Sequence, residues 1–249
     1  MNKLTFYQGA KPMIDFHSHF LPEMDDGSSS FSESIQMLKL SYATGIDTII
    51  STSHYFSNRE NIDGFLAKRD ASLQKLIKLL EEINDIPQIA MGAEVAFFSG
   101  MSEVEEITQL CIGNTKFMLL EMPFCEWSTL TMKEIRSLIT IRRITPILAH
   151  IERYFPYQKR KDNIEELLAL GAVLQINAES LIEGPQRRTV LKLLGEGKIH
   201  LLGSDCHNMN DRRPNLDGAI KIIEKELGSS CLERINSIGR SLLDTTSLT

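Results

Sequence analysis

Seven short apolar runs recur along this chain, at residues 13–16, 48–51, 88–92, 117–120, 146–149, 173–176 and 199–203. Stretches of helical spacing lie between and after them, at 32–44, 61–83, 132–143, 164–170, 186–194, 217–227 and 230–238. In the first of these, Ile35, Leu38 and Tyr42 recur at i, i+3 and i+7, as one buried helix face would. Strands alternating with helices predict an α/β fold with a parallel sheet and helices outside it. Right-handed crossovers would curl that sheet into a barrel, with an open doubly wound sheet as the alternative. No Gly/Ser-rich linker divides the 249 residues, which predicts a single domain over 1–249. Its motifs fall within 13–213, helices and a tail follow over 214–249, and the polar end at 244–249 is expected to fray.

Composition narrows the class. With 42% hydrophobic and 24% charged residues, a chain of this length can bury a large core without staples. A net charge of −6 argues against nucleic acid as the main partner. Cysteines 111, 125, 206 and 231 form no CxxC pair and read as reduced thiols. The opening MNKLTFYQGAKPMIDFH lacks the apolar core of a signal peptide. No stretch reaches the roughly 18 apolar residues of a spanning helix. The expectation is a cytoplasmic protein with no membrane insertion.

Ligand-type side chains collect at the ends of the expected strands. His17 and His19 follow the first run, His54 the second, Glu94 the third, Glu121 the fourth and His150 the fifth. Asp205 and His207 follow the seventh, and Asp26 lies in the loop after the first. All strand C-termini of a parallel barrel open on one face, so distant segments would deliver imidazoles and carboxylates to one mouth. Only His200 stands apart, and it reads as structural. His17 and His19 are two apart, a spacing that lets both rings reach one ion, and Asp205 and His207 repeat it. Mixed nitrogen and oxygen ligands suit zinc, manganese or iron, and nine candidates suit two or three ions. Such ions acidify water and neutralise charge on phosphoryl oxygens.

The segments IDFHSHFLPEMDDGSSS, TIISTSHYF, GAEVAFF, FMLLEMPF, ILAHIERY and LLGSDCHNMNDRRP, in this order, resemble the polymerase-and-histidinol-phosphatase (PHP) superfamily. Their spacing is most similar to its bacterial protein-tyrosine phosphatases, the capsule-associated type. The resemblance implies a distorted seven-stranded β/α, TIM-like barrel holding three divalent ions, commonly manganese or iron. It implies one ion on His17, His19, Glu94 and Asp205, a second on Glu94, Glu121 and His150, and a third on Asp26, His54 and His207. It makes Arg153 and Arg212 the phosphate holders, and its partner is a tyrosine-phosphorylated protein, a tyrosine kinase of exopolysaccharide synthesis. Where the family often has proline before the second-strand histidine, this chain has Ser53.

Read on their own, Arg153 and Arg212 lie close after His150 and His207, and a guanidinium can grip phosphate through two parallel hydrogen bonds. Arg213 reads as a surface charge. Asp205 or His207 would supply a proton to the leaving group through water. Alternatives are a small-molecule phosphatase, such as one for histidinol phosphate, and a non-catalytic metal-binding domain, which the complete ligand set opposes. Cys206 and Arg212 also spell C-x5-R, the signature of cysteine-dependent phosphatases. Residues 207–211 hold no glycine to cradle a phosphate, and Asp205 and Asp211 would repel one, so Cys206 reads as a packing residue. Asp26 could instead cap a turn, with Ser30 or Ser32 capping the next helix. Asn177 ends the sixth strand and faces either substrate or backbone. Phe20, Phe97, Phe98, Phe124 and Trp127 would line an aromatic slot or fill the core.

Overall fold

The computed structural model describes residues 12–158 and 162–243. The residues expected to fray, 244–249, lie outside the described ones. The strands are β1 (Met13–Ser18), β2 (Ile46–Ser51), β3 (His54–Tyr55), β4 (Gln88–Met91), β5 (Glu94–Ala96), β6 (Phe117–Glu121), β7 (Thr145–Leu148), β8 (Val173–Asn177) and β9 (Leu201–Gly203). Every strand pair is parallel, in the orders β1-β2-β4 and β3-β5-β6-β7-β8-β9. The result is a curled parallel sheet with helices in the crossovers, as the alternation predicts.

Nine segments replace the seven expected runs because two of them break and resume. β2 gives way at residues 52–53 before β3, and β4 gives way at 92–93 before β5. At the first break the Thr52 hydroxyl accepts from the Ser18 N–H (3.0 Å) and donates to the Ser18 carbonyl (3.1 Å), which also accepts from the Thr52 N–H (2.9 Å), so a side-chain oxygen takes the place of one backbone acceptor. His54 and Glu94 therefore do not follow their strands. They open the resumed pieces and sit opposite each other in register.

The helices are α1 (Phe31–Ala43), α2 (Ile62–Leu80), α3 (Thr129–Thr140), α4 (Asp162–Ala169), α5 (Ala178–Ile182), α6 (Arg187–Gly195), α7 (Leu216–Leu227) and α8 (Ser229–Leu243). Ser30 caps α1 by accepting from the Glu33 N–H, and Glu33 reaches back to the Ser29 N–H at 2.9 Å, a reciprocal cap. The buried stripe of α1 is Ser34, Met37, Leu38 and Ser41, one position round from the expected face of Ile35, Leu38 and Tyr42. The two small serines let the helix approach closely, and Ser34 Oγ lies 2.8 Å from Ser28 Oγ. α3 begins three residues before the expected start because Ser128 caps it, and it ends before Arg143, whose φ of 60° is left-handed. α5, five residues long, has too few turns to show a period in sequence.

Helices α1 to α7 bury their apolar stripes in one continuous core on one face of the sheet. The opposite face carries a second cluster, with Ile14 and Phe16 from β1, Ile50, Ala90, Leu119, Ile147, Val173 and Leu201, which Leu243 of α8 closes. Where β1 and β9 meet, space is short. A Cβ at Gly203 would lie 2.4 Å from the His17 Cβ and 2.6 Å from the Gln175 amide nitrogen. Gly203→Ala is expected to destabilise the fold by about 1–3 kcal/mol through overpacking, read as a lower urea midpoint at unchanged slope.

Candidate metal centre

Seven of the nine candidate ligands lie at the C-terminal ends of the parallel strands or in the loops that follow, and the other two begin the resumed strands. His17 stands at the penultimate position of β1 and Glu121 at the last position of β6, while His54 and Glu94 open β3 and β5. His150 follows β7, and Asp205 follows β9. Both are held in the left-handed region, with φ of 34° and 53°. That conformation costs about 1–3 kcal/mol for a residue with a Cβ and persists where its surroundings over-determine it. For Asp205 they do: its N–H donates to the His17 carbonyl at 2.7 Å, and the His19 N–H donates to the Cys206 carbonyl at 2.8 Å. Ser18 and Cys206 thus bridge in parallel, carrying the pairing of β1 past the end of β9.

The ligand atoms converge. His17 Nε2 lies 3.1 Å from His19 Nε2, 3.1 Å from Glu94 Oε2 and 3.5 Å from Asp205 Oδ1. His150 Nε2 lies 2.9 Å from Glu94 Oε1 and 3.6 Å from Glu121 Oε1. Asp26 Oδ1 is 3.7 Å from His54 Nε2 and 3.6 Å from His207 Nε2. His54 also reaches inward, with Nδ1 3.0 Å from Glu94 Oε2. Glu94 is the hub, touching His17, His19, His54 and His150.

Hydrogen bonds at the far ring nitrogens decide which atoms face the cluster. His19 Nδ1 lies 2.7 Å from Asp25 Oδ2, His17 Nδ1 3.4 Å from Gln175 Oε1, and His207 Nδ1 2.9 Å from the Asp205 carbonyl. Each acceptor takes the Nδ1 proton and leaves the Nε2 lone pair inward, the arrangement that orients metal-binding imidazoles. The Nε2 atoms of His17 and His19, 3.1 Å apart, are close enough to share one proton or one metal ion between them. Glu94 Oε2 and His207 Nε2 are buried and have no hydrogen-bond partner among the described residues. Buried polar atoms are rarely left so, and both point at neighbours that a cation would share. The donor set fits divalent ions that accept nitrogen and oxygen together.

Electrostatics agree. Burial alone would push Glu94 towards the neutral acid, yet His17, His150 and His19 hold it well below the usual carboxylate range. Burial disfavours the His19 cation, but Asp25 and Glu94 outweigh it and raise the ring to about 10. Burial keeps His54 and His150 neutral and, with His19 and Arg212 beside it, lowers His207 to about 4. Neutral imidazoles are the form that ligates. Asp205 is also buried, but His17, His19 and Arg153 keep it ionised.

Sequence reading missed two residues here. Of the adjacent acids, Asp25 is the buried one, its side chain 6% exposed, and it binds His19, the His54 N–H (2.7 Å) and the Gly27 N–H (2.9 Å). Asp26 is 67% exposed and reaches in from the rim. Gly27 allows the approach, since a Cβ there would lie 2.3 Å from the His19 carbonyl. Gln175 accepts from the His150 N–H at 2.8 Å as well as facing His17, and donates to Asn177 Oδ1. Asn177 in turn donates to Asp205 Oδ2 at 2.7 Å. Gln175 lies in no motif and Asp25 lies in one that does not set it apart from Asp26; only an acceptor requirement behind each imidazole would have pointed to them.

Arg153 and Arg212 flank the cluster, each 2.9 Å from a different Asp205 oxygen, while Arg213 is exposed. A guanidinium has five N–H donors, so the bond to Asp205 aims it without exhausting it. Cys206 is fully buried, and burial with Asp15 nearby pushes its thiol far up, which removes it as a nucleophile. His200 is structural, its Nδ1 accepting from the Leu174 N–H at 3.0 Å. Phe20 and Trp127 belong to the core, Phe97 and Phe98 pack against it, and Phe124 is half-exposed.

The sequence model of the family described as "Capsular polysaccharide synthesis, CpsB/CapC" matches residues 13–240. The chain belongs to the CpsB/CapC family. It is 31% identical over 242 residues to the tyrosine-protein phosphatase CpsB of Streptococcus agalactiae, covering 91% of this chain and 94% of that protein. It is 32% identical over 222 residues to the tyrosine-protein phosphatase YwqE of Bacillus subtilis, covering 87% and 86%. Crystal structures of YwqE from Bacillus subtilis and CpsB from Streptococcus pneumoniae, described as metal-dependent tyrosine phosphatases, match with a TM-score of 0.82 at 27% identity, covering 95% of this chain and 96% of that one. A phosphotriesterase homology protein of Escherichia coli matches at a TM-score of 0.52 and 12% identity, a likeness of fold alone.

Two outcomes follow from the groups behind this CpsB/CapC-family site. Asp25→Ala frees the His19 ring and is expected to weaken divalent-metal binding about 10–100-fold in a chelator-competition titration. Glu152, beside Arg153, is raised by burial from 4.5 to about 7, against hydrogen bonds that include the Asn177 N–H. A carboxyl raised on folding favours the native state while protonated, so its contribution is lost as pH rises from about 4.5 through about 7. Glu152→Gln should equal the parent near pH 5 and exceed it by about 1–3 kcal/mol at pH 8, measured by urea unfolding of chelated protein.

Proposed function

We propose that this chain is a metal-dependent protein-tyrosine phosphatase acting on tyrosine kinases of capsule or exopolysaccharide synthesis. The carrying observation is the convergence of His17, His19, Glu94 and Asp205 beside Arg153 and Arg212. The names of its CpsB and YwqE relatives support the substrate class. On this reading His17, His19, Glu94 and Asp205 hold one ion, Glu94, Glu121 and His150 a second, and Asp26, His54 and His207 a third. Manganese is the ion of choice, with iron and zinc compatible with the same donors. The sheet counts as a closed seven-stranded barrel, with β2 and β3 as one strand and β4 and β5 as another, in one domain. The Ser18–Cys206 bridge supports that closure. Four free cysteines support a cytoplasmic setting, and among the described residues no helix is long and apolar enough to cross a membrane.

Divalent ions in these positions would acidify the attacking water and neutralise charge on the phosphoryl oxygens. Arg153 and Arg212 donate to the remaining phosphate oxygens, their forks aimed by Asp205. Asp25, Gln175 and the Asp205 carbonyl hold the three imidazoles in one tautomer throughout the reaction. A tyrosine leaving group has a pKa near 10, so it departs with less help from an acid than an alkoxide needs. This suits a site whose Asp205 is held ionised and whose His207 is held neutral. Asp26, Arg153 and Arg212 are partly exposed at the rim, which suits a phosphorylated protein segment better than a sealed metabolite pocket.

Hydrolysis of a phosphotyrosine peptide and of histidinol phosphate should be measured on untreated, chelated and manganese-restored protein. Peptide hydrolysis is expected to fall about a hundredfold or more on chelation and to return with manganese. Cys206→Ala should keep it, and Glu94→Ala should lose it. Activity that survives thorough chelation and dies with Cys206→Ala would overturn the metal reading; preference for histidinol phosphate would overturn the substrate.

A further inference from the structure

Two half-exposed aromatic residues stand at the rim of the cluster. Phe124 is 46% exposed and Tyr157 43%. The Phe124 ring runs nearly parallel to the candidate ligand His150, centroids 6.0 Å apart at 18°. Tyr157 meets Phe124 edge-on, at 6.4 Å and 67°. On the other rim, Phe56 lies 5.3 Å from the His54 ring, but the Arg59 guanidinium covers its face at 4.2 Å. The Phe124 side is the open one.

A lone exposed phenylalanine is ordinary. This one sits on a loop braced from beneath. The Met122 N–H donates to the hydroxyl of fully buried Tyr154 at 2.9 Å, and Trp127 Nε1 donates to the Pro123 carbonyl at 3.2 Å. Buried Gln158 donates to the Cys125 carbonyl at 2.9 Å, and the Cys125 N–H turns back to the Pro123 carbonyl at 2.8 Å. Phe124 is the middle residue of that tight turn. Four hydrogen bonds therefore fix the loop, and the Phe124 ring, packed beneath on buried Tyr154 at 5.3 Å, still presents nearly half its surface to water beside a charged cluster. Fixing a side chain before a partner arrives lowers the entropy cost of binding.

We propose that Phe124, with Tyr157 at its edge, is the platform for the aryl ring of the phosphoester, and so sets a preference for aryl over alkyl phosphates. The inference rests on the phosphatase reading for its phosphate, yet concerns binding rather than turnover. In an aryl phosphate one ester oxygen separates ring from phosphorus. A phosphate between the cluster and Arg153 carries its ring to the adjoining rim, where Phe124 and Tyr157 offer a face and an edge. Offset and edge-to-face contacts are the preferred aromatic geometries, and an alkyl ester makes neither.

The probes are benzylphosphonate, a non-hydrolysable stand-in for phenyl phosphate, and ethylphosphonate, which keeps the phosphonate and loses the ring. Calorimetry on manganese-loaded protein should show benzylphosphonate binding about three- to tenfold tighter than ethylphosphonate. Phe124→Ala should remove most of that ratio while shifting ethylphosphonate by less than about twofold, and Phe124→Tyr should keep it. If Phe124→Ala does not fold, Phe124→Leu, which keeps apolar bulk without the ring face, is read in its place. An unchanged ratio, equal loss for both probes, or no preference in the parent overturns the platform. A Phe124-dependent preference in a protein that hydrolyses no phosphotyrosine peptide sinks the functional reading alone. Hydrolysis with no Phe124 dependence of the ratio sinks the platform alone.

Discussion

Two backbone hydrogen bonds, Asp205 N–H to the His17 carbonyl and His19 N–H to the Cys206 carbonyl, tie the first strand to the segment after the last. Asp15 adds to the tie by accepting from the Ser204 N–H at 2.9 Å. Much of the site depends on this pairing. It sets His17 and His19 against Asp205, forces Asp205 into its left-handed conformation, and leaves no room for a side chain at Gly203. Backbone pairing fixes strand position in a way that side-chain packing alone cannot, because a slip of one residue reverses every side chain.

The second constraint is one of charge and tautomer. Glu94 and Asp205 lie within hydrogen-bonding range of four rings and two guanidinium groups, in a place where burial opposes every charge. The cluster is stable only as a set. A carboxylate without its imidazoles would protonate, and an imidazole without Asp25 or Gln175 behind it would be free to turn its N–H inward. Positions outside the candidate ligand set thus govern how its side chains are oriented, and the same logic places Arg153 and Arg212, which Asp205 aims.

How much of this was legible follows from what each residue type must do. The histidines and acids at strand ends were readable because parallel strands share a direction, so position along the sequence became position in space. Asp25 and Asp26 were not separable, since two adjacent acids in a turn differ only in which one the fold buries. Gln175 resembled any strand residue; its role exists only because His17 and His150 meet it from other strands. The breaks at 52–53 and 92–93 are two-residue gaps, the first carrying the side-chain bonds of Thr52, below the resolution of hydrophobic periodicity. The stripe of α1 rotated by one position because close approach favours Ser34 and Ser41 over bulk. Of five aromatic residues after ligand strands, sequence offered no way to single out Phe124, since exposure is a property of the folded rim.

The Ser18–Cys206 bridge has a consequence for biosynthesis. Its ends are separated by most of the polypeptide, so contacts within the site are of very high sequence separation, and loop closure over such a span is slow. During translation His17, His19 and His54 emerge early, but they have no Asp205 or His207 to meet until the ninth strand leaves the ribosome. An incomplete chain consequently holds histidines without a finished cage, and tight ion capture becomes a late event that reports a completed fold.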